Sequence, residues 1–279
     1  MPELPEIETL RRGLERETVG RRVKSVDVPA AKAVHRNGSR KAFQARLEGA
    51  KFKGVERRGS LLVVTLDSGE LLVVDIGATG RLLRAAPKDD VTKDTQLVIS
   101  FTQGGQLRMG DAEGHAEAFV VTPDLLLEEV PELADLGLDP VASPVSWTAF
   151  ARSLVARRTD KLKPLLMDQT FVVGLGGLYA DEILHDAGLR PDREVSTVST
   201  MEIRRLYRSL VEILHEATKH HGTSTEQHPF SDLLGKEGGF QDELQVWGRD
   251  GEPCRRCRNV VTKQRSGGRL TYWCPSCQV

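Results

Sequence analysis

The sequence predicts an α+β protein: an N-terminal antiparallel β-sandwich or barrel-like sheet flanked by helices, then a C-terminal helical domain ending in a four-cysteine finger. Three observations carry this. Short alternating apolar runs separated by turn residues fill the first 121 positions. Helical periodicity replaces them after residue 147. All four cysteines fall between residues 254 and 277. The expected divisions are a β-sandwich at 1–121, an acidic linker at 122–146, a helical domain at 147–240 and the finger at 241–279.

Residues 3–17 read as an amphipathic helix, with Leu4, Ile7, Leu10 and Leu14 at helical spacing. Strand-like alternation begins at Val23–Val28. Leu61–Leu66 and Leu71–Ile76 flank Asp67-Ser68-Gly69-Glu70, a hairpin signal, and Leu97–Phe101 and Gln106–Met109 flank Gln103-Gly104-Gly105 in the same way. Prolines 123, 131, 140 and 144 punctuate the acidic stretch. Helices are expected at Trp147–Arg158, Lys163–Gln169, Tyr179–Ala187 and Met201–His220. The last opens on Ser199-Thr-Met-Glu202, a capping box.

The 279 residues are 28% charged and 39% hydrophobic, enough for one large domain or two modest ones. No apolar run approaches a membrane span, and charges from Glu3 to Lys24 do not fit a signal peptide, so a cytoplasmic protein is expected. The net charge of −1 hides an asymmetry. Residues 121–150 hold six acids and no Lys or Arg, whereas residues 247–279 hold seven Lys or Arg against two acids. A polyanion would bind that basic tail, and the acidic stretch would face away from it.

The cysteines stand as Cys254-x2-Cys257 and Cys274-x2-Cys277, 16 residues apart. Paired C-x2-C spacings let two turns grip one tetrahedral ion, with room for a short hairpin between them. Two disulfides or free thiols are the alternatives, and without a secretion signal the pattern favours structural zinc. Lys263, Arg265 and Arg269 lie between the pairs, Arg269 on a hairpin with Thr271 and Trp273, and present cations to phosphates.

Other stretches are open to two readings. Met-Pro-Glu-Leu-Pro-Glu-Ile-Glu suits an ordinary helix start. Were Met1 removed, Pro2 would carry a secondary amine, partly unprotonated at neutral pH, able to form an iminium with a sugar aldehyde carbon. Glu3 would then lie one residue from it as a proton carrier. Gly174-Leu-Gly176-Gly177-Leu-Tyr179 fails as a dinucleotide fingerprint; it is either a phosphate-binding helix N-terminus, with Lys163 adding a cation, or a tight turn. His220 and His221 suit a helix end. Asp111-Ala-Glu113-Gly-His115 has metal-binding residue types, but its place beside a hairpin favours a solvated loop.

In order along the chain, MPELPEIE, LKPLLMDQ (162–169), GLGGLYADEIL (174–184), LQVWGRDGEPC (244–254) and the cysteine finger resemble the bacterial formamidopyrimidine-DNA glycosylase and endonuclease VIII family. The start and the presence of residues 222–240 favour the formamidopyrimidine branch. The resemblance implies a helix–two-turn–helix domain beside the sandwich, with damaged or abasic DNA between them, duplex or single-stranded. It implies a bifunctional DNA glycosylase and AP lyase in base excision repair, a monomer at the nucleoid. By motif match, Pro2 is the nucleophile, Glu3 its proton-transfer partner and Glu6 a supporting carboxylate. Lys163, Gly174, Gly176, Gly177 and Arg269 grip phosphates, and Cys254, Cys257, Cys274 and Cys277 hold structural Zn2+.

The chain also departs from the family. RRGKY-like sequence reads Arg57-Arg58-Gly59-Ser60-Leu61, so Ser60 replaces a cleft lysine. HLGMTG reads Asp75-Ile-Gly-Ala78-Thr-Gly80, losing a histidine and a wedge methionine. DPRRFG reads Asp111-Ala-Glu-Gly114-His115-Ala116, losing the wedge arginine and phenylalanine, although His115 can stack. Gly177 replaces the asparagine of GIGNIY, and Glu226-Gln227-His228-Pro229 departs within the lesion-capping segment. Wedge residues offset the few kcal/mol, roughly, of unstacking a base. Two outcomes are compatible with these losses: an enzyme of altered lesion preference, or a catalytically silent damaged-DNA-binding paralogue.

Overall fold

A computed structural model describes residues 2–266 and 269–279. The chain divides into two compact units. Pro2, Glu6–Ala134 and His221–Gly238 belong to the first; Glu3–Pro5, Asp135–His220 and Gly239–Val279 form the second.

The first unit contains helix α1 (Leu4–Thr18) from Glu6 onward, strand β1 (Val23–Asp27), helix α2 (Arg40–Leu47) and seven more strands. These are β2 (Phe52–Arg58), β3 (Leu61–Leu66), β4 (Leu71–Asp75), β5 (Arg81–Ala85), β6 (Thr95–Phe101), β7 (Gln106–Gly110) and β8 (Glu117–Val121). They make two four-stranded antiparallel sheets, ordered β1-β6-β7-β5 and β2-β3-β4-β8. Ile7, Leu10 and Leu14 of α1 and Phe43 and Leu47 of α2 share one core with Val26, Ile99 and Met109 of the first sheet and Phe52, Leu62, Leu72 and Val120 of the second. Both hairpins form where turn residues precede apolar alternation, with Leu62 opposite Val74 and Ile99 opposite Leu107.

The acidic stretch is not a free linker throughout. Residues 123–135 coil into short helical turns, including α3 (Leu126–Glu129), and Leu126 and Val130 pack on the outer face of Val63, Val73, Phe119 and Val121. The second sheet is therefore buried on both faces at these strands, which accounts for the unbroken apolar runs of β3 and β4. Acids face water while two aliphatic side chains seal the sheet. Residues 221–238, adjoining the helical domain in sequence, belong to the first unit.

The second unit holds α4 (Trp147–Val155), α5 (Leu162–Leu166), α6 (Gly177–Ala187), α7 (Thr200–Lys219) and the antiparallel pair β9 (Thr262–Ser266) and β10 (Arg269–Trp273). The capping box on α7 is complete: Ser199 accepts the Glu202 amide and Glu202 accepts the Ser199 amide. Apolar residues of all four helices meet Leu4, Trp247, Tyr272, Cys254 and Cys274 in one core. Helix α5 stops early because the Asp168 carboxylate accepts the Thr170 amide at 2.8 Å, turning the chain. Among the described residues no helix is long and apolar enough to cross a membrane.

Candidate active site and zinc centre

At the entry to α1 the Leu4 amide donates to the Gly174 carbonyl at 2.7 Å. This brings Glu3 to the N-terminus of α6, where its carboxylate accepts the amides of Gly176 (2.7 Å), Leu178 (3.0 Å) and Tyr179 (3.4 Å). A helix N-terminus favours an anion, and here the chain supplies its own. The glycines are explained by this contact. A Cβ at Gly176 would lie 2.5 Å from Glu3 Oε1, and Gly174 has a φ of +71° with Leu4 packed on it. For Gly174 and Gly176 the amides expected at phosphate are taken within the chain: Gly176 donates to Glu3, and Gly174 donates to Gln169 Oε1 at 2.6 Å.

Pro2 is half-buried and non-helical, and Met1, whose removal would free its nitrogen, lies outside the described residues. Glu6 is 3% exposed, and its Oε1 accepts the Thr223 amide at 2.7 Å. A Cβ at Gly222 (φ +82°) would lie 2.7 Å from that oxygen, so the glycine lets the carboxylate reach Thr223. Glu6 thus ties the segment beginning at His221 to α1.

Lys163 is not a solvent-facing cation. It is 3% exposed, with Nζ 2.7 Å from Asp181 Oδ1 and donating to the Leu270 carbonyl (2.8 Å) and Thr271 Oγ1 (3.0 Å). One ion pair and two hydrogen bonds inside the protein thus surround the ammonium. The expected phosphate contact is corrected to a clamp joining α5, α6 and β10. Burial pushes the Asp181 carboxyl up to about 7 against the pull of Lys163, and burial lowers the lysine in turn. Arg269 behaves differently: it is exposed at the start of β10, its Nη1 3.6 Å from Met167 Sδ.

Three side chains of α6 escaped the sequence reading. Asp181 Oδ2 accepts the Tyr272 amide at 2.9 Å. Glu182, 1% exposed, accepts the amides of Gln245 (2.8 Å), Val246 (3.0 Å) and Trp247 (2.8 Å), and burial raises its pKa despite them. His185 Nε2 lies 3.5 Å from Cys254 Sγ, and burial holds its imidazole down, to about 4. The only sequence signal was four ionisable residues, Asp181, Glu182, His185 and Asp186, inside a largely apolar helix.

The four sulfurs lie within 4.8 Å of one another, Cys254 to Cys277 at 3.9 Å and Cys257 to Cys274 at 3.4 Å. Tetrahedral zinc with Zn–S near ~2.3 Å spaces its sulfurs by roughly 3.8 Å, whereas a disulfide needs about 2.05 Å. The donor set fits zinc.

In the first unit Asp75, Ala78, Gly114 and His115 lie in or beside two loops. Asp75 is half-buried in β4 and accepts the Gly77 amide at 2.8 Å; burial raises its pKa. Ala78 is exposed in the turn that follows. Asp111, expected in a solvated loop, is instead 3% exposed and organises it. Its carboxylate accepts Thr79 Oγ1 (2.7 Å) and the amides of Glu113 (3.0 Å), His115 (2.6 Å) and Ala116 (2.9 Å). Gly114 takes a φ of +70°, and His115 is exposed with Nδ1 3.4 Å from Glu113. A Cβ at Gly77 would be 3.5 Å from His115 Cβ, so the structure sets Ala78 and His115 on neighbouring loops. Ser60 is half-buried in the β2–β3 turn. In the second unit, a Cβ at Gly177 would meet the Trp247 ring at 3.4 Å and Lys163 Nζ at 3.9 Å, so the bare glycine permits that aromatic approach.

Family models match nearly end to end: the formamidopyrimidine-DNA glycosylase N-terminal domain at residues 1–116, its H2TH domain at 136–228, and the zinc finger found in FPG and IleRS at 251–279. The chain belongs to the formamidopyrimidine-DNA glycosylase family. The formamidopyrimidine-DNA glycosylase of Pelotomaculum thermopropionicum is 36% identical over 278 residues, covering 100% of this chain and 99% of the relative. That of Geobacillus kaustophilus is also 36% identical, with 100% of each covered. Among solved structures, Lactococcus lactis Fpg in complex with abasic-site DNA superposes with a TM-score of 0.88 at 31% identity over 99% of both chains. MutM in complex with DNA containing carbocyclic 8-oxo-G gives 0.87 at 32%, again over 99% of both. The fold is that of the formamidopyrimidine glycosylases, and the four cysteines form its structural zinc centre.

Proposed function

We propose that the protein is a DNA repair glycosylase with AP-lyase activity, acting at the nucleoid on damaged bases and abasic sites through the Pro2 nitrogen. Once Met1 is removed, that nitrogen attacks the sugar carbon of the damaged nucleotide. The glycosidic bond breaks, the base leaves with its electron pair, and the ring-opened sugar is held as an iminium. The iminium accepts electrons when a neighbouring C–H is deprotonated, and elimination of the flanking phosphates cuts the strand. The observation that carries the reading is the placement of Glu3. The residue next to Pro2 is a carboxylate locked by backbone amides, so a proton carrier is fixed one residue from the nucleophile. Glu6, in the first turn of α1, supports by holding Thr223, and Arg269, exposed on β10, serves as a phosphate contact.

Lesion preference follows from the loops. Ala78 offers nothing to replace the stacking of an extruded base and His115 a single small ring, and Ser60 and Gly177 carry no charge toward phosphate. Substrates already unstacked are favoured: abasic sites, ring-damaged bases, and lesions in single strands or bubbles. Borohydride trapping on abasic and oxidised-base oligonucleotides tests this. A covalent protein–DNA adduct is expected, lost in Pro2→Gly, and faster on single-stranded than duplex substrate. No adduct on any abasic substrate overturns the enzymatic reading. The same loop departures favour a second one, a silent damaged-DNA-binding paralogue, which predicts salt-sensitive DNA affinity without strand cleavage.

A further inference from the structure

Helix α6 reaches the zinc centre through one side chain that the donor set does not include. His185 is 1% exposed, and Nε2 lies 3.5 Å from Sγ of Cys254, which like Cys274 is wholly buried. Nδ1 is buried with no hydrogen-bond partner among the described residues. A proton on Nδ1 would leave a buried donor unsatisfied, so the tautomer with the proton on Nε2, aimed at the sulfur, is preferred. The contact is held from the backbone as well. The His185 carbonyl accepts Arg256 Nη1 at 3.1 Å, from inside the Cys254–Cys257 turn.

Four thiolates around Zn2+ leave the cluster with two excess negative charges, which favours loss of a ligand to a proton or an electrophile. A neutral N–H directed at one sulfur draws off part of that charge without displacing the metal, and such outer-shell donors typically alter metal affinity by roughly 10–100-fold. We propose that His185 is a positioning residue of the zinc centre, donating its Nε2 hydrogen to the Cys254 thiolate and thereby slowing zinc loss and thiolate alkylation. The inference concerns the metal, and it stands or falls independently of the Pro2 chemistry.

The test compares zinc-loaded wild type with His185→Phe, which keeps a ring but no donor, and His185→Gln, which keeps an N–H. Zinc release during iodoacetamide challenge is followed with a chromophoric chelator, and the thiolate-to-metal charge-transfer band is recorded on cobalt-substituted protein. Phe at position 185 should speed release about tenfold or more and move the band to longer wavelength, with Gln restoring both at least in part. An unshifted band, or release at the wild-type rate in the Phe variant, overturns the proposal. So does equal acceleration in both variants, because the side chain then acts by packing alone. Circular dichroism of the zinc-loaded variants separates these outcomes from a failure to fold.

Discussion

Helix α6 in the second unit and the paired loops in the first use one device, a buried carboxylate accepting backbone amides, at different ranges. Asp111 accepts amides two, four and five residues ahead and the Thr79 hydroxyl, so it shapes its own loop and pins it to the neighbouring one. Asp181 and Glu182 accept amides 91 and 63 to 65 residues away, so each joins separate stretches of chain. Glu3 does the same over more than 170 residues. A locally shaped loop leaves its exposed tip, here Ala78 and His115, free to vary. A long-range clamp cannot vary one partner alone.

The sharpest test of this contrast is removal of the metal. Structural zinc contributes about 10–16 kcal/mol to small modules, so stripping it should disorder the region from Gly251 to Val279 and abolish DNA affinity, read by circular dichroism and fluorescence anisotropy. The sandwich transition in a calorimetric scan should persist. Next in size is the buried pair. Lys163→Met or Asp181→Asn should cost ~3–5 kcal/mol by urea denaturation, and Lys163→Met with Asp181→Leu should recover most of it. The salt dependence of DNA affinity separates clamp from contact. Lys163→Met should leave its slope unchanged, whereas Arg269→Ala should reduce it by about one. A reduced slope for Lys163→Met would restore that residue as a phosphate ligand.

In the loops, Asp111→Ala should cost roughly 1–3 kcal/mol by removing the acceptor of three amides. His115→Ala at the tip should change stability by less than about 0.5 kcal/mol while altering excision from duplex more than from single strands. Acid sensitivity offers the finest comparison, with a carboxylate held down to about 2 in each unit. Arg81 holds Asp94 down to about 2, and Arg193 holds Glu202 down to about 2. Their folded pKa values lie below the unfolded ones, so the stability they contribute is full above about pH 4.5 and is lost as pH falls toward 2. The stability difference between wild type and Glu202→Gln, on the order of 1–3 kcal/mol at pH 7, should shrink as pH falls toward 2 and vanish only below it.

Much was legible because it is local. The amphipathic repeat of Leu4, Ile7, Leu10 and Leu14, the Asp67–Glu70 turn, the capping box at Ser199 and the paired cysteine spacings each act within a few residues. The same locality explains the errors. Leu126 and Val130 looked like part of a linker because much of the sheet face they cover, Val63 and Val73, lies more than fifty residues upstream, with only Phe119 and Val121 close in sequence. Lys163 looked like a free cation because Asp181, Leu270 and Thr271 are distant in sequence.

By itself the sequence determined the elements, their caps and turns, the metal ligands and the family, since spacing and residue type encode these directly. The tertiary structure alone decided where each buried charge finds its partner: Glu3 at α6, Glu6 at Thr223, Lys163 at Asp181, His185 beside Cys254. A buried polar group without a partner costs kilocalories, so the folded chain must supply one, but nothing in the spacing of residues names which.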